Sequence, residues 1–397
     1  MHKIMAVNAG SSSLKFKLLN MPTEEVISEG VIERIGADDA YYTIKTDGVK
    51  QKQVLPIRNH SEAVTILLKD LVDRGMVASL SEIKGVGHRI VQGGSYFTDS
   101  ALVTPQVIDI IRDYCSLAPL HNPANLIGIE SFMAAMPGVP NVAVFDTSFH
   151  STMAEEAFMY AIPYEWFTKY KIRKYGFHGT SHKYVSQKVA EVIGTPIENL
   201  RIITLHIGNG ASLAAIKNGK CIDTSMGLTP LEGVPMGTRS GNIDPTIVEF
   251  ISNKEHMTTA QVLNYLNKRS GYLGVSGFSN DSRDLEEEAK NGNLRAKLAF
   301  DIQYKRVVDY IGSYFVYLGG LDVLVFTAGI GENSPLFRKE IVKRLGALGV
   351  ELDEDANLTR GKIKEISTKE SKVRVFVIPT DEELMIARDT VRLAGLK

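Results

Sequence analysis

Cysteine is scarce in this sequence: 397 residues hold two, Cys115 and Cys221, with neither metal-ligand spacing nor a disulfide framework. That excludes a cystine-stapled scaffold and a cysteine zinc site, and it points to a reducing compartment. Neither sign of charge is in excess, since 45 Lys plus Arg face 46 Asp plus Glu. No global field therefore draws the chain to nucleic acid or to a membrane surface, and an anionic ligand has to be held by a local site. No apolar run reaches bilayer length, and residues 1–10 lack the basic stretch and long apolar core of a signal peptide. The expected location is the cytoplasm. A GxxxxGK[ST] P-loop is missing as well, because the Gly-Lys pairs at Gly219 and Gly361 lack the rest of that motif. There is no GxSxG elbow to present a nucleophile, and no low-complexity linker marks a domain boundary.

What is present is core material for more than one domain, since 397 residues with 44% hydrophobic content exceed what one hydrophobic core usually supports. Strands and helices alternate, the pattern of an α/β protein. Apolar strands are expected at residues 142–145, 202–205, 323–326 and 373–378, each followed at once by polar residues or glycine. Ligands gather at such carboxyl ends in open α/β sheets. Helices are expected after Asn122-Pro123, after Ser181, and after Thr380, with Glu383 completing a capping box. The acidic run at residues 284–290 reads as a solvated helix face.

The chain also states one plan twice. An apolar strand at residues 4–7 runs into Asn8, Ala9, Gly10 and three serines, then resumes as an alternating strand carrying Lys15. Residues 203–213 repeat it around Gly208, Asn209 and Gly210, with one extra residue in the turn. Each turn offers backbone N–H groups to a phosphate, and the first adds hydroxyls and Lys15. Two similar lobes facing a shared cleft would account for the echo. The boundary is expected near residue 150, which places the second hairpin in the second lobe.

Candidate anion-binding groups are Arg89 in VGHRIVQGG and Arg239 in PLEGVPMGTRSGNIDPT, both read as lying in glycine-bearing loops. Arginine's planar fork suits phosphoryl and carboxylate oxygens, though a surface ion pair competes for any single arginine. His121, His178 and His206 each stand beside glycine or proline, where a role aimed at transferring oxygens competes with a structural one. His178 and His182 are four apart, a spacing that faces a metal only on a helix, and Gly179, Thr180 and Ser181 between them read as a loop. Asp146 after its strand and Glu382 in the last helix's first turn are oxygen donors that Mg²⁺ carried by phosphates would want, together with Asn8. Gly329 and Gly331 follow a strand as GxGxxS and permit close approach of a ligand to the backbone.

Taken together and in order, VNAGSSSLKF, GHRIVQGG, PLHNP, FDTSFH, YGFHGTSH, HIGNGASL, PMGTRSGNIDP, SNDSRD, FTAGIGENS and PTDEE resemble the acetate kinase family across essentially the whole chain. That resemblance implies the superfamily of sugar kinases, Hsp70 chaperones and actin. Its fold is two ribonuclease H-like lobes, mixed sheets flanked by helices, with ATP in the cleft between them. The implied lobes are 1–150 plus 384–397, with the final helix returning to the first lobe, and 151–383. The implied reaction is reversible transfer between ATP and acetate, with Mg²⁺ as cofactor and Mn²⁺ able to substitute, in a homodimer. By the same resemblance Arg89 and Arg239 clamp the acetate and the phosphoryl group, and His178 stabilises the transition state. His121 and His206 contact phosphates, and Gly208, Asn209 and Gly210 line them, beside the Lys15 already read from the first turn. Asp146 positions groups around the metal and Arg239, and Asn8 and Glu382 hold Mg²⁺ through water. Val91, Leu120, Phe177 and Pro230 form the methyl pocket. Adenosine lies near Asp281, Ser282, Arg283, Gly329, Ile330, Gly331, Glu332 and Asn333. Some family members carry a larger apolar residue at Ser282.

An acetate carboxylate, with a pKa of ~4, is ionised at neutral pH and needs no general base. Positioning and charge stabilisation then suffice. Propionate kinases share the motifs. A hydroxyl-directed kinase using Asp146 as base is the nearest enzymatic rival, and an actin-like or chaperone-like nucleotide switch is the non-enzymatic one.

Overall fold

The computed structural model describes residues 1–46, 48–119 and 121–396. The chain forms two compact units, Met1–Ser151 with Asp381–Lys397, and Thr152–Thr380. The helix Glu382–Leu393 thus belongs to the first unit from its first residue.

The sheet of the first unit runs β5-β4-β3-β2-β1-β6-β8-β7. Its strands are β1 (His2–Gly10), β2 (Ser13–Met21), β3 (Glu25–Glu33), β4 (Tyr41–Thr46), β5 (Val49–Val54), β6 (Ile83–Ile90), β7 (Ala101–Leu102) and β8 (Asn141–Phe145). β1, β2 and β3 are antiparallel neighbours, whereas β6 and β8 continue parallel to β1. Met5, Val7, Leu14, Phe16 and Leu18 share a core with Ala63, Val64, Leu67, Leu68 and Leu71 of the helix His60–Asp73. The returning helix Glu382–Leu393 packs on β1, β2, β6 and β8. It comes so close that a Cβ added at Gly87 would stand 2.3 Å from Thr390 Oγ1 and 2.4 Å from Ile386 Cγ2.

In the second unit the order is β11-β10-β9-β12-β14-β13. These are β9 (Arg201–Ile207), β10 (Ala211–Lys217), β11 (Lys220–Thr224), β12 (Val323–Thr327), β13 (Lys364–Glu365) and β14 (Arg374–Val377). Three antiparallel strands again lead into two parallel ones, and the edge strand is again antiparallel and precedes its neighbour in the chain. Six strands therefore repeat in order and direction, which makes the echoed hairpin one part of a duplicated α/β sheet. The first hairpin turns through Ser11 and Ser12, since Gly10 faces Ser13. The second turns through three residues, Ile207 facing Ala211, with the Gly208 N–H donating to Gly210 O at 2.9 Å.

The structure corrects four local expectations. Arg89 lies not in a loop but on β6. Gly87, one of the glycines that read as loop markers, instead admits the helix Glu382–Leu393 against the strand, as does Gly85. His178 and His182 are not separated by a loop: Gly179–Ile193 is a helix that begins directly after His178, so Ser181 lies inside it rather than capping it. The helix expected after Asn122 includes that residue, Asn122–Ala135, and its side chain does other work. Thr380 forms no capping box with Glu383; Asp381 is the cap, accepting from the Leu384 N–H at 3.0 Å, while Glu383 pairs with Lys15. The acidic run is a helix, Ser282–Lys290, of which only Leu285 is buried. Among the described residues no helix is long and apolar enough to cross a membrane.

Candidate active site

In the first unit the carboxyl ends of β1, β6 and β8 carry Asn8, Arg89 and the residue after β8, Asp146. Arg89 donates through Nε and Nη2 to the two oxygens of the buried Asp146 carboxylate, at 2.9 and 2.6 Å. Burial works against its charge, but Asp146 and then Glu382 outweigh it and hold the guanidinium firmly protonated. Glu382 is the converse. Its burial pushes the carboxyl up to about 7, against the pull of Arg89 and with the repulsion of Asp146 and Glu383. With Asp146 matched by Arg89, the Glu382 carboxyl is held at the edge of ionisation, and a hard cation with oxygen ligands would favour its charged form. Among the described residues no cluster of three metal-ligating side chains exists, so a metal here would take few protein ligands. That fits an ion that keeps its waters and binds substrate phosphates.

Lys15 pairs with Glu383, and Lys17 reaches Asp381 at 2.8 Å. Burial lowers the Lys15 pKa, but Glu383 more than offsets this. Val91 is buried just past β6, and His121 precedes the helix Asn122–Ala135. Leu120 lies outside the described residues.

In the second unit the three-residue turn after β9 gathers the other half of the expected set. A Cβ at Gly210 would lie 3.5 Å from His178 Nε2 and 3.6 Å from Arg239 Nη1, so both groups crowd that glycine. His178 adopts φ 57°, and its Nδ1 is 2.8 Å from Ser212 Oγ. The same hydroxyl is 2.8 Å from His182 Nε2. The i, i+4 histidine pair therefore converges on a serine, not a metal. His206 stacks on His178 with centroids 4.1 Å apart, and its Nδ1 is 2.8 Å from Ser181 Oγ, which reaches Thr380 Oγ1 at 2.8 Å.

Arg239 comes from a segment, residues 225–245, with no helix or strand. Backbone and amide bonds nevertheless fix it: Gln303 Nε2 donates to Pro235 O at 2.6 Å, the Tyr272 N–H to Met236 O at 2.9 Å, and the Gly237 N–H to Asn209 O at 2.9 Å. Among the described residues the Arg239 guanidinium donates to Pro230 O, at 3.3 Å, and to Met236 Sδ at 3.8 Å, and to no other acceptor. Among the described residues no carboxylate pairs with it, and burial lowers its pKa. A guanidinium held this way is stabilised by an arriving anion. Phe177 is buried beside His178 in the chain, and Pro230 is half-buried.

A cavity of about 460 Å³ opens beside the same turn, lined by Gly208, Asn209, Asp281, Ser282, Arg283, Gly329, Ile330 and Asn333 among others. Not every expected residue faces it. The Glu332 carboxylate accepts from the N–H groups of Ala328 and Thr380, at 2.8 and 3.0 Å, and Gly331 O accepts from the buried Arg338 at 2.9 Å. Asp281 caps the helix Ser282–Lys290 and pairs with Arg283. The cavity adds Asn280, Glu286, Ser334 and Arg360 to the expected set. Asn280 stands in the SNDSRD run and could have been read there; Arg360 belongs to no motif and is delivered by tertiary structure alone.

The sequence pattern of the acetokinase family matches residues 3–388. The chain belongs to the acetate kinase family. It is 55% identical over 396 residues to the acetate kinase of Geobacillus sp. strain WCH70, covering 100% of both chains. Its structure is similar to that of Porphyromonas gingivalis acetate kinase, with a TM-score of 0.95, 45% identity, and coverage of 99% of this chain and 100% of that one. A propionate kinase from Francisella tularensis is nearly as similar, at TM-score 0.94 and 42% identity over 99% and 100% of the chains. Acetate kinases and propionate kinases of this family share the actin-like ATPase fold, here present as the duplicated mixed sheets.

Proposed function

We propose that this chain transfers the γ-phosphoryl group of ATP to acetate, reversibly and by direct in-line displacement, giving acetyl phosphate and ADP. An acetate oxygen forms the new P–O bond as the bond to the β-phosphate oxygen breaks, and ADP carries away the electron pair. The observation that carries this reading is Arg239, a largely buried guanidinium without an acidic partner among the described residues, set with His178 against the Gly210 turn. That is a donor set for oxygens that gain or redistribute charge during transfer.

Arg239 and Arg89 bind the acetate and phosphoryl oxygens, and His178 donates to the phosphoryl group in the transition state. Asp146 aims Arg89 through its two-point contact. His121, His206, Lys15 and the Gly208, Asn209, Gly210 turn contact the phosphates. The cavity beside that turn takes the nucleoside against Asp281, Ser282, Arg283, Gly329, Ile330 and Asn333, which line it, while Gly331 and Glu332, whose polar groups are engaged elsewhere, support the loop that shapes it. Val91, Leu120, Phe177 and Pro230 limit the size of the acid. Asn8 and Glu382 hold Mg²⁺ through water, and Mn²⁺ can replace it. When bound, the ion neutralises charge on the phosphate oxygens. An acetate acceptor is already ionised and needs no base, and Asp146, the candidate base of a hydroxyl-directed kinase, has both carboxylate oxygens engaged by Arg89.

The enzyme is proposed to work in the cytoplasm as a homodimer. Val316 and Tyr317, 74% and 69% exposed near the end of the helix Leu294–Leu318, are surface apolar groups that an interface would cover. The similarity to a propionate kinase supports propionate as a second acceptor, since one methylene is worth only about 1–3 kcal/mol. The test is to supply ATP, Mg²⁺ and acetate with hydroxylamine. A trapped hydroxamate formed in step with ADP is expected; ATP hydrolysis indifferent to short carboxylates would mean a nucleotide switch instead.

A further inference from the structure

Beyond Ile90 the chain leaves β6, and the backbone of Val91 and Gln92 enters the interior without a strand to pair with. Two side chains of one helix take the place of that strand. The Val91 N–H donates to Asn125 Oδ1 at 3.1 Å. The Gln92 N–H donates to Asn122 Oδ1 at 3.0 Å, and Asn122 Nδ2 donates back to Gln92 O at 2.9 Å. Asn125 has a second task, because its Nδ2 donates to Ala9 O at 2.6 Å. One amide therefore ties the end of β1, next to Asn8, to the end of β6, two residues past Arg89.

Asn122 and Asn125 are three apart on the helix Asn122–Ala135 and so share a face. Both are buried, at 0% and 2% exposure. Asparagine is a poor helix former, so neither is there for the helix. Gly128, three residues further along that face, lets the helix in: a Cβ there would stand 2.9 Å from Ala9 Cβ.

We propose that Asn122 and Asn125 are positioning residues for the acceptor half of the site, setting the β6 end that carries Arg89 and Val91 and, through Asn125, registering it against Asn8. This rests on the phosphotransfer reading above. Neither amide touches substrate; they act through the backbone they hold. A lost contact lets Arg89 and Val91 drift, and small displacements of positioned groups are costly in rate. The nucleotide cavity belongs to the other unit and contains neither residue.

The experiment measures kcat, KM for acetate and KM for ATP, together with thermal melts, for the intact enzyme and for Asn122→Ala, Asn122→Asp, Asn125→Ala and Asn125→Ser. The expected result is a rise of about tenfold or more in KM for acetate with kcat reduced, while KM for ATP stays within about twofold. Asn122→Asp keeps the acceptor for the Gln92 N–H and should recover part of the loss seen with Asn122→Ala. Asn125 variants should also need more Mg²⁺ for half-maximal rate, and Asn122 variants should not. Unchanged acetate KM in folded variants overturns the proposal, as do equal changes in both KM values or variants that are all unfolded, since each marks a purely structural role. If the wild-type enzyme itself makes no acyl phosphate, it is the phosphotransfer reading that fails.

Discussion

Replacing Arg239 by alanine should separate activity from stability. The wild-type guanidinium is largely buried, donates to one carbonyl and one sulfur, and has no carboxylate partner among the described residues. Its removal therefore costs the folded protein little and relieves a desolvated charge. In the reaction the same group supplies two or more charge-assisted hydrogen bonds, worth about 1.5–3 kcal/mol each. Losing two raises the barrier by about 3–6 kcal/mol, a fall of about 10²- to 10⁴-fold in rate. The assay is acyl phosphate trapping at saturating ATP, paired with a thermal melt of the substrate-free protein. The expected pair is a rate lower by that factor and a melting temperature equal to or above wild type. Arg239→Lys should recover little, because an ammonium lacks the planar fork. A loss of less than about tenfold would remove Arg239 from the reacting site, and a clear drop in melting temperature would make it a structural residue.

Two further outcomes follow from the same geometry. Glu382 has a folded-state pKa pushed up to about 7, above the unfolded value, so folding favours its protonated form. That contribution is complete below the ordinary glutamate range and is lost as pH rises through about 7. Metal-free wild type should accordingly lose stability relative to Glu382→Gln across that window, and melts in chelator whose difference stays constant with pH would contradict this. Gly329 lines the cavity, and a Cβ there meets nothing within 4 Å. Gly329→Leu should therefore leave the melting temperature unchanged or raised, as a helix gains on losing glycine, while KM for ATP rises about tenfold or more and KM for acetate holds. An unchanged KM for ATP would place the nucleoside elsewhere.

The duplicated sheet was legible because its signal is local. A strand, a polar turn and an alternating strand recur, and turn length is written in the residue count between Gly10 and Leu14 and between Gly208 and Leu213. The arginine fork, the histidines and the acids were legible as chemistry. What was not legible depends on who approaches whom. Gly87 read as loop because glycine in a strand looks like a break; the close passage of the helix Glu382–Leu393 gives it a reason. Gly179, Thr180 and Ser181 read as loop because they are weak helix formers, yet the helix starts there, with His178 in the left-handed conformation just before it. Arg360 enters the cavity on a segment whose register is fixed by the buried Arg338, which donates to Asn357 and Thr359 carbonyls at 2.5 and 2.7 Å. Asn122 was legible only as a helix start and Asn125 not at all, since nothing in a linear sequence shows an amide standing in for a strand.

In the proposed reaction the acceptor is a carboxylate oxygen attacking phosphorus directly. This is tested by running the reaction with ¹⁸O-labelled acetate, ATP and Mg²⁺ and recording the ³¹P spectrum of the product. The expected product shows a phosphoryl resonance displaced by the isotope shift of one directly bonded ¹⁸O. An unshifted phosphorus, or inorganic phosphate as the sole product, would contradict it.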